Sequence, residues 1–272
     1  MADISAKDVM ALRQKTGCGM MECKKALTES NGDVEGAIEY LRKAGMAKAQ
    51  KRAGRSANNG KWAYAKKGNV CVLLEGLCET DFVANTPEFK AMVQAAAEKA
   101  LDYAEDGDIS EKVAADNDAT LKALVGKIGE NMRFRRALRW VAADGGKLGC
   151  YLHTAQPFAT MVEVAGDCDD ALLNNITLHI TASNPTYITR DDVPESVKAK
   201  EKEIAMADPK LAGKPEKVLM GILEGKLAKV YKENCLMEMP WIDDEKSCLA
   251  KVAPNVKVVR FVRWTAGEEI AG

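Results

Sequence analysis

The stretch CVLLEGLCETDFVANTPEF, Cys71 to Phe89, changes its period abruptly in the middle. CVLLEGL (Cys71–Leu77) is an apolar run of strand length. Thr86-Pro87-Glu88 starts a helix: threonine caps, proline fits the first helical position, and glutamate suits the positive end of the dipole. Between them, where glycine, asparagine or serine would make a turn, stand Asp81, Phe82 and Val83. A phenylalanine at such a corner either packs into its own lobe or is displayed to something else. The residues alone favour packing, because aromatics as a class are core residues.

Working outward, the same unit occurs twice. GKWAYAKKGNVCVLLEGLCETD (Gly60–Asp81) reads as strand, turn and strand, with a helix following from Thr86 to about Tyr103. GGKLGCYLHTAQPFATMVEVAGDCDD (Gly145–Asp170) and the helical ALLNNITLHITAS (Ala171–Ser183) echo it. Two related α+β lobes, each an antiparallel hairpin covered by helices, are the economical architecture. The first spans 61–143; the second spans 144–192 and is completed by 256–266, within the strand VKVVRFVRWTAG (Val256–Gly267). Arg133, Arg135, Arg136 and Arg139 lie between the two copies of the repeated unit and read equally as salt-bridge donors or a basic patch.

Before the lobes, residues 1–46 read as a three-helix bundle. Ser5 and Asp8 make a box-like helix start, Val9, Met10 and Leu12 supply an apolar face, and Gly17 ends the segment. MMECKKALTES (Met20–Ser30) is the second helix, closed by Asn31-Gly32. Asp33 caps the third, which runs to Gly45 as terminator. Adjacent Met20 and Met21 point about 100° apart, so at least one is exposed as a soft contact surface. Residues 47–60 read as a basic linker, within a stretch free of acidic residues from Leu41 to Leu74. With Trp62 and Tyr64 interleaved, Arg42 to Lys67 keeps an RNA- or ribosome-associated scaffold open as a second reading.

After Asn184-Pro185, two charged helices starting at Pro194 and Pro215 form an antiparallel helical hairpin over 193–236. Its stripe is Val218, Leu219, Ile222, Leu223, Leu227 and Val230, and Gly221 and Gly225 are expected to admit another backbone closely. Residues 237–272 read as a C-terminal strand and tail module.

Composition bounds the function. Apolar residues make up 47%, charged residues 29%, and the net charge of -1 selects neither nucleic acid nor an anionic membrane. The early charges of MADISAKDVMALRQ exclude a secretory signal, and no apolar run approaches the roughly 20 residues of a membrane span. The reading is a cytoplasmic protein with no membrane partner and no direct nucleic-acid ligand. Eight cysteines contain no C-x-x-C pair and accompany two histidines far apart, so zinc spacing is missing and reduced thiols are expected. Cys150 and His153 are unsuited to a nucleophile–base pair, since strand residues three apart face opposite sides. No catalytic residue, metal site or cofactor is expected.

Several motifs, in order, resemble translation elongation factor Ts. They are LRQKTGCGMMECKKALTESNGDVEGAIEYLRKAG (Leu12–Gly45), ETDFVA (Glu79–Ala84), KIGENMRFRRA (Lys127–Ala137) and LHITASNP (Leu178–Pro185). GKPEKVLMGILEGKLAKVYKENCLMEMPWIDD (Gly213–Asp244) and VVRFVRW (Val258–Trp264) complete the series. The resemblance implies a ubiquitin-associated-type bundle, a two-part α+β core, a coiled-coil hairpin and a short C-terminal module. It also implies a binding protein, not an enzyme: a nucleotide exchange factor for elongation factor Tu, in its GDP-bound and nucleotide-free forms. Higher assembly of such pairs stays open.

In that family the T-D-F-V-A corner is a wedge whose Asp and Phe enter the partner's guanine-nucleotide domain near magnesium. Carried over, the partner-binding residues are Thr80, Asp81, Phe82, Val83 and Ala84, joined by Arg13, Met20, Met21 and His179. The sequence departs where a basic residue usually follows the wedge, since Asn85 and Thr86 stand there. The loop after His153 is longer than expected and puts Phe158-Ala159 where an Ile-Gly pair belongs.

Overall fold

The structure is a computed structural model that describes residues 4–153, 158–206 and 215–269. Residues up to Val141, and again from Thr265, form one compact unit; Ala142–Trp264 form a second. The architecture is α+β, with antiparallel sheets.

The first unit opens with α1 (Ala6–Thr16), α2 (Met20–Glu29) and α3 (Val34–Arg52). Ser5 caps α1 in a reciprocal box with Asp8, and Gly17 closes it at φ 66°, a left-handed conformation that favours glycine. Asp33 caps α3 by accepting from the Gly36 amide at 2.8 Å. The bundle core is Val9, Leu12, Cys23, Ala26, Leu27 and Ala37. Met10 is not part of it: one residue on from buried Val9, it points away and is 56% exposed.

Gly45 does not end α3, which continues through part of the expected basic linker to Arg52. A side chain on Gly126 would place its Cβ 2.6 Å from Gly45 Cα. Gly45 is therefore a crossing point at which α3 lies against α7 (Asp118–Ile128), and the small residue serves contact, not termination.

Next come β1 (Asn59–Lys67), β2 (Val70–Cys78), α4 (Asp81–Ala84) and α5 (Pro87–Ala100). β3 (Gly107–Asp108), α6 (Ser110–Asp116), α7 and β4 (Met132–Val141) complete a sheet in the order β1-β2-β4-β3. The four-residue α4 fills the corner that the sequence left between strand and helix. α5 packs on β2 so closely that a Cβ on Gly76 would meet Val93 Cγ2 at 2.5 Å. Phe89, Val93, Ala96, Ala97 and Ala100 share that core with Val72, Leu74 and Cys78.

β4 resolves the arginine ambiguity in favour of salt bridges and carbonyl ligation. Arg136 Nε donates to Glu75 at 2.7 Å and Nη1 to Glu268 at 2.7 Å, while Arg139 donates to the Leu101 and Glu105 carbonyls. Glu75 is fully buried and also accepts the Gly267 amide at 3.0 Å. An ionised carboxylate survives burial only with such partners.

The second unit contains β5 (Lys147–Leu152), β6 (Phe158–Gly166), α8 (Asp170–Ser183), a 3-10 turn (Arg190–Asp192), α9 (Glu195–Met206) and α10 (Glu216–Asn234). β7 (Pro240–Trp241), β8 (Asp244–Cys248), α11 (Leu249–Val252) and β9 (Val256–Thr265) follow. The C-terminal strand joins the sheet β5-β6-β9. α8 covers it through Leu173, Ile176 and Ile180, in a core with Val162, Leu236, Trp241 and Val258. α9 and α10 contact each other. The stripe of α10 is only half covered, Val218 is 45% exposed, and Gly221 and Gly225 face open space among the described residues. No neighbouring backbone fills that space among the described residues. The turn joining α9 to α10 lies outside the described residues.

Candidate docking corner

The corner is built by two helix caps in succession. Thr80, extended at φ −124° and ψ 155°, caps α4 by accepting from the Val83 amide at 3.3 Å. Thr86 caps α5 by accepting from the Phe89 amide at 3.3 Å, and its hydroxyl donates back to the Val83 carbonyl at 2.8 Å. Asn85, where a basic residue was expected, donates from Nδ2 to the Asp81 carbonyl at 2.9 Å. The departure thus trades a charge for a bond that closes the turn.

Helix geometry then decides what each residue faces, because successive side chains point about 100° apart. Val83 and Ala84 turn inward and are 8% and 2% exposed. Asp81 turns outward, and Phe82 is 82% exposed. The phenylalanine does not pack into its own lobe; its neighbours anchor the turn from which it projects.

Two carboxylates, neither of them among the expected partner-binding residues, hold the corner from behind. Glu130 accepts the Thr80 amide at 3.0 Å and the Thr80 hydroxyl at 2.6 Å. Glu79 accepts the Asn131 amide at 2.6 Å, and its backbone carbonyl accepts Asn59 Nδ2 at 2.7 Å. Adjacent residues of one loop thus grip adjacent residues of the other. Beneath them Cys78 donates its thiol to the Thr80 carbonyl at 3.1 Å. Burial, with nearby Glu130 adding to it, pushes that thiol up to about 12. The thiol therefore stays neutral and acts as a packing group.

In the bundle, Arg13 is exposed on α1, and Met20 and Met21 at the start of α2 are 39% and 74% exposed. His179 differs. It is fully buried on α8, its Nδ1 is 3.2 Å from Ser183 Oγ, and its ring lies 4.9 Å from that of Trp241. Burial lowers its pKa, against opposing pulls from Asp243 and the Leu236 backbone. An imidazole so enclosed offers a partner no surface, which corrects the expectation for His179.

Elsewhere, Phe158 begins β6 under the Arg263 guanidinium, 4.0 Å above its ring, and Ala159 is buried. Residues 154–157 of that loop lie outside the described set. The basic stretch is partly neutralised by its neighbours: Lys43 pairs with Glu39, Lys48 with Glu22, Arg55 with Glu79 and Lys67 with Asp102. Among the described residues no helix is long and apolar enough to cross a membrane.

Residues 79–268 match the family model described as Elongation factor TS. An elongation factor Ts of Teredinibacter turnerae is 42% identical over 275 residues, covering 98% of this chain and 92% of its own. That of Saccharophagus degradans is 40% identical over 272 residues, with coverages of 98% and 92%. That of Clostridium tetani is 38% identical over 288 residues, with coverages of 98% and 94%. Matches of this extent define the class first: a factor of protein biosynthesis, acting in translation elongation. The chain belongs to the elongation factor Ts family.

Proposed function

We propose that this protein binds elongation factor Tu·GDP and promotes GDP release, with Phe82 and Asp81 as the wedge. The observation that carries the reading is an aromatic side chain 82% exposed on a turn whose next two residues are buried. A displayed Phe on so constrained a corner is preorganised, so little conformational entropy is lost when it enters a partner. Magnesium holds nucleotide phosphates in near-ideal octahedral geometry, so a small displacement of its surroundings loosens the ligand. Asp81 supplies the charge beside the ring, and Arg13, Met20 and Met21 supply a second, softer contact from the bundle. The protein itself makes and breaks no covalent bond in this scheme; it is a binding protein whose output is an altered nucleotide affinity.

The test is stopped-flow release of fluorescent GDP from elongation factor Tu, with and without this protein. Accelerated release that saturates with concentration is expected. Thermodynamic reciprocity further requires GDP to weaken the protein–protein complex by the factor by which the complex weakens GDP. Unchanged release at saturating protein sinks the reading.

A further inference from the structure

Cys18 and Cys23 occupy the two ends of one packing device. α2 has Gly19 as its cap and Met20 as its first helical residue, which puts Cys18 just before the cap and Cys23 at the fourth helical position. Side chains at these positions close over a helix start as a hydrophobic staple. Here both are thiols. Cys23 is fully buried in the bundle core and Cys18 packs against it. Cys23 Sγ lies 3.7 Å from the Cys18 carbonyl oxygen and 3.8 Å from Thr16 Oγ1, and Cys18 Sγ lies 3.9 Å from the Thr16 carbonyl oxygen. Cys18 is half-buried and lines an open cleft of about 740 Å³, wide enough for a small oxidant to enter.

We propose that Cys18 and Cys23 form an oxidation site, in which a hydroperoxide turns the staple into a reversible disulfide that alters the docking face at Met20 and Met21. Cys18 thiolate attacks one peroxide oxygen and the O–O bond breaks, leaving Cys18 as a sulfenic acid and releasing water when the peroxide is hydrogen peroxide. Cys23 then attacks the sulfenic sulfur, the S–S bond forms, and the hydroxyl leaves as a second water. Two thiols lose two electrons and two protons, and the peroxide is reduced to two waters. Cys18, which lines the cleft, takes the first step; Cys23, fully buried and held as a thiol by that burial, can react only with a sulfur brought to it, and loses its proton as it attacks.

The two sulfurs must close to about 2.05 Å, which draws the residue before the cap onto the first turn of α2. Met20 and Met21 lie within that turn. The enclosed loop is short, so it gains little from chain entropy and thiol reductants reopen it readily.

The consequence for exchange rests on the proposed function; the oxidation chemistry does not. The experiment treats the whole protein with hydrogen peroxide, then maps disulfides by mass spectrometry without reduction and measures GDP release from elongation factor Tu. The expected result is one intramolecular Cys18–Cys23 link, a several-fold loss of exchange acceleration, and recovery of both with dithiothreitol. Cys18→Ala should keep its activity in peroxide. Absence of the link, irreversible oxidation of Cys18 alone, or a link between two chains overturns the proposal. A formed link with undiminished exchange overturns its regulatory half. If the reduced protein fails to accelerate release, the exchange reading fails, and the mass spectrum still decides the disulfide.

Discussion

Truncating Phe82 to Ala separates a displayed side chain from a core one by magnitude. A Phe side chain covers roughly 200 Å² when buried. With 82% of Phe82 exposed, only about a fifth of that is covered, or about 40 Å². At about 25 cal/mol per Å² the loss is about 1 kcal/mol. Alanine's better helix propensity returns about 0.5 kcal/mol, so the net change is about 0.5 kcal/mol. Phe89, seven residues on and fully buried in the core beneath the corner, should instead cost about 3–5 kcal/mol as Phe89→Ala. Urea denaturation reads both values. In the GDP-release assay Phe82→Ala should lose about 2 kcal/mol or more of activation, roughly thirtyfold, as expected of a central aromatic anchor. Chelating magnesium should shrink the advantage of the wild type. A stability loss above about 2 kcal/mol, or full exchange activity, refutes the displayed-wedge argument.

Thr80→Val removes the α4 cap and leaves Glu130 without its hydroxyl donor, so urea denaturation should show a loss of about 1–2 kcal/mol. Gly126→Ala should destabilise by about 1–3 kcal/mol because its Cβ meets the Gly45 backbone, whereas Gly221→Ala, facing open space in a helix, should gain about 1 kcal/mol. Met21→Ala should leave stability within about 0.5 kcal/mol while weakening the complex, measured by titration calorimetry against elongation factor Tu. For His179 the folded pKa lies below the ordinary 6.5, so the unfolded chain takes up the proton first. Its contribution is intact above that pH and is lost as pH falls below it. Wild type should therefore lose more Tm than His179→Asn between about pH 7 and about pH 5.

The strand, corner and helix around Phe82 were legible because each boundary carries its own local chemistry: an apolar run, then Thr86 and Pro87. Gly45 misled for the opposite reason. Termination and close approach both select glycine, and only the distant Gly126 distinguishes them. Residue type misled for Phe82 as well: it favoured packing, whereas one turn of helix sends Val83 inward and Phe82 outward according to where the sheet lies. The family resemblance pointed to Phe82 and also to His179, and the structure buries His179. The Glu130 clamp on Thr80 spans 50 residues and leaves no trace in either local sequence.

Glu75 bears on the order in which this molecule can be finished. Its carboxylate is made early, yet the Gly267 amide that it accepts lies 192 residues further along the chain. At ribosomal rates of about 5–20 residues per second, that partner arrives on the order of 10–40 s later. Until then the Glu75 cluster of the first unit is incomplete, although the core it adjoins, between Ala49 and Ala137, is already made. Through that interval Glu75 has Arg135 and Arg136 beside it but not the strand of backbone that closes over them. The buried Glu75 cluster is thus closed by a contact of very high sequence separation, the kind whose loop-closure cost makes it slow to form.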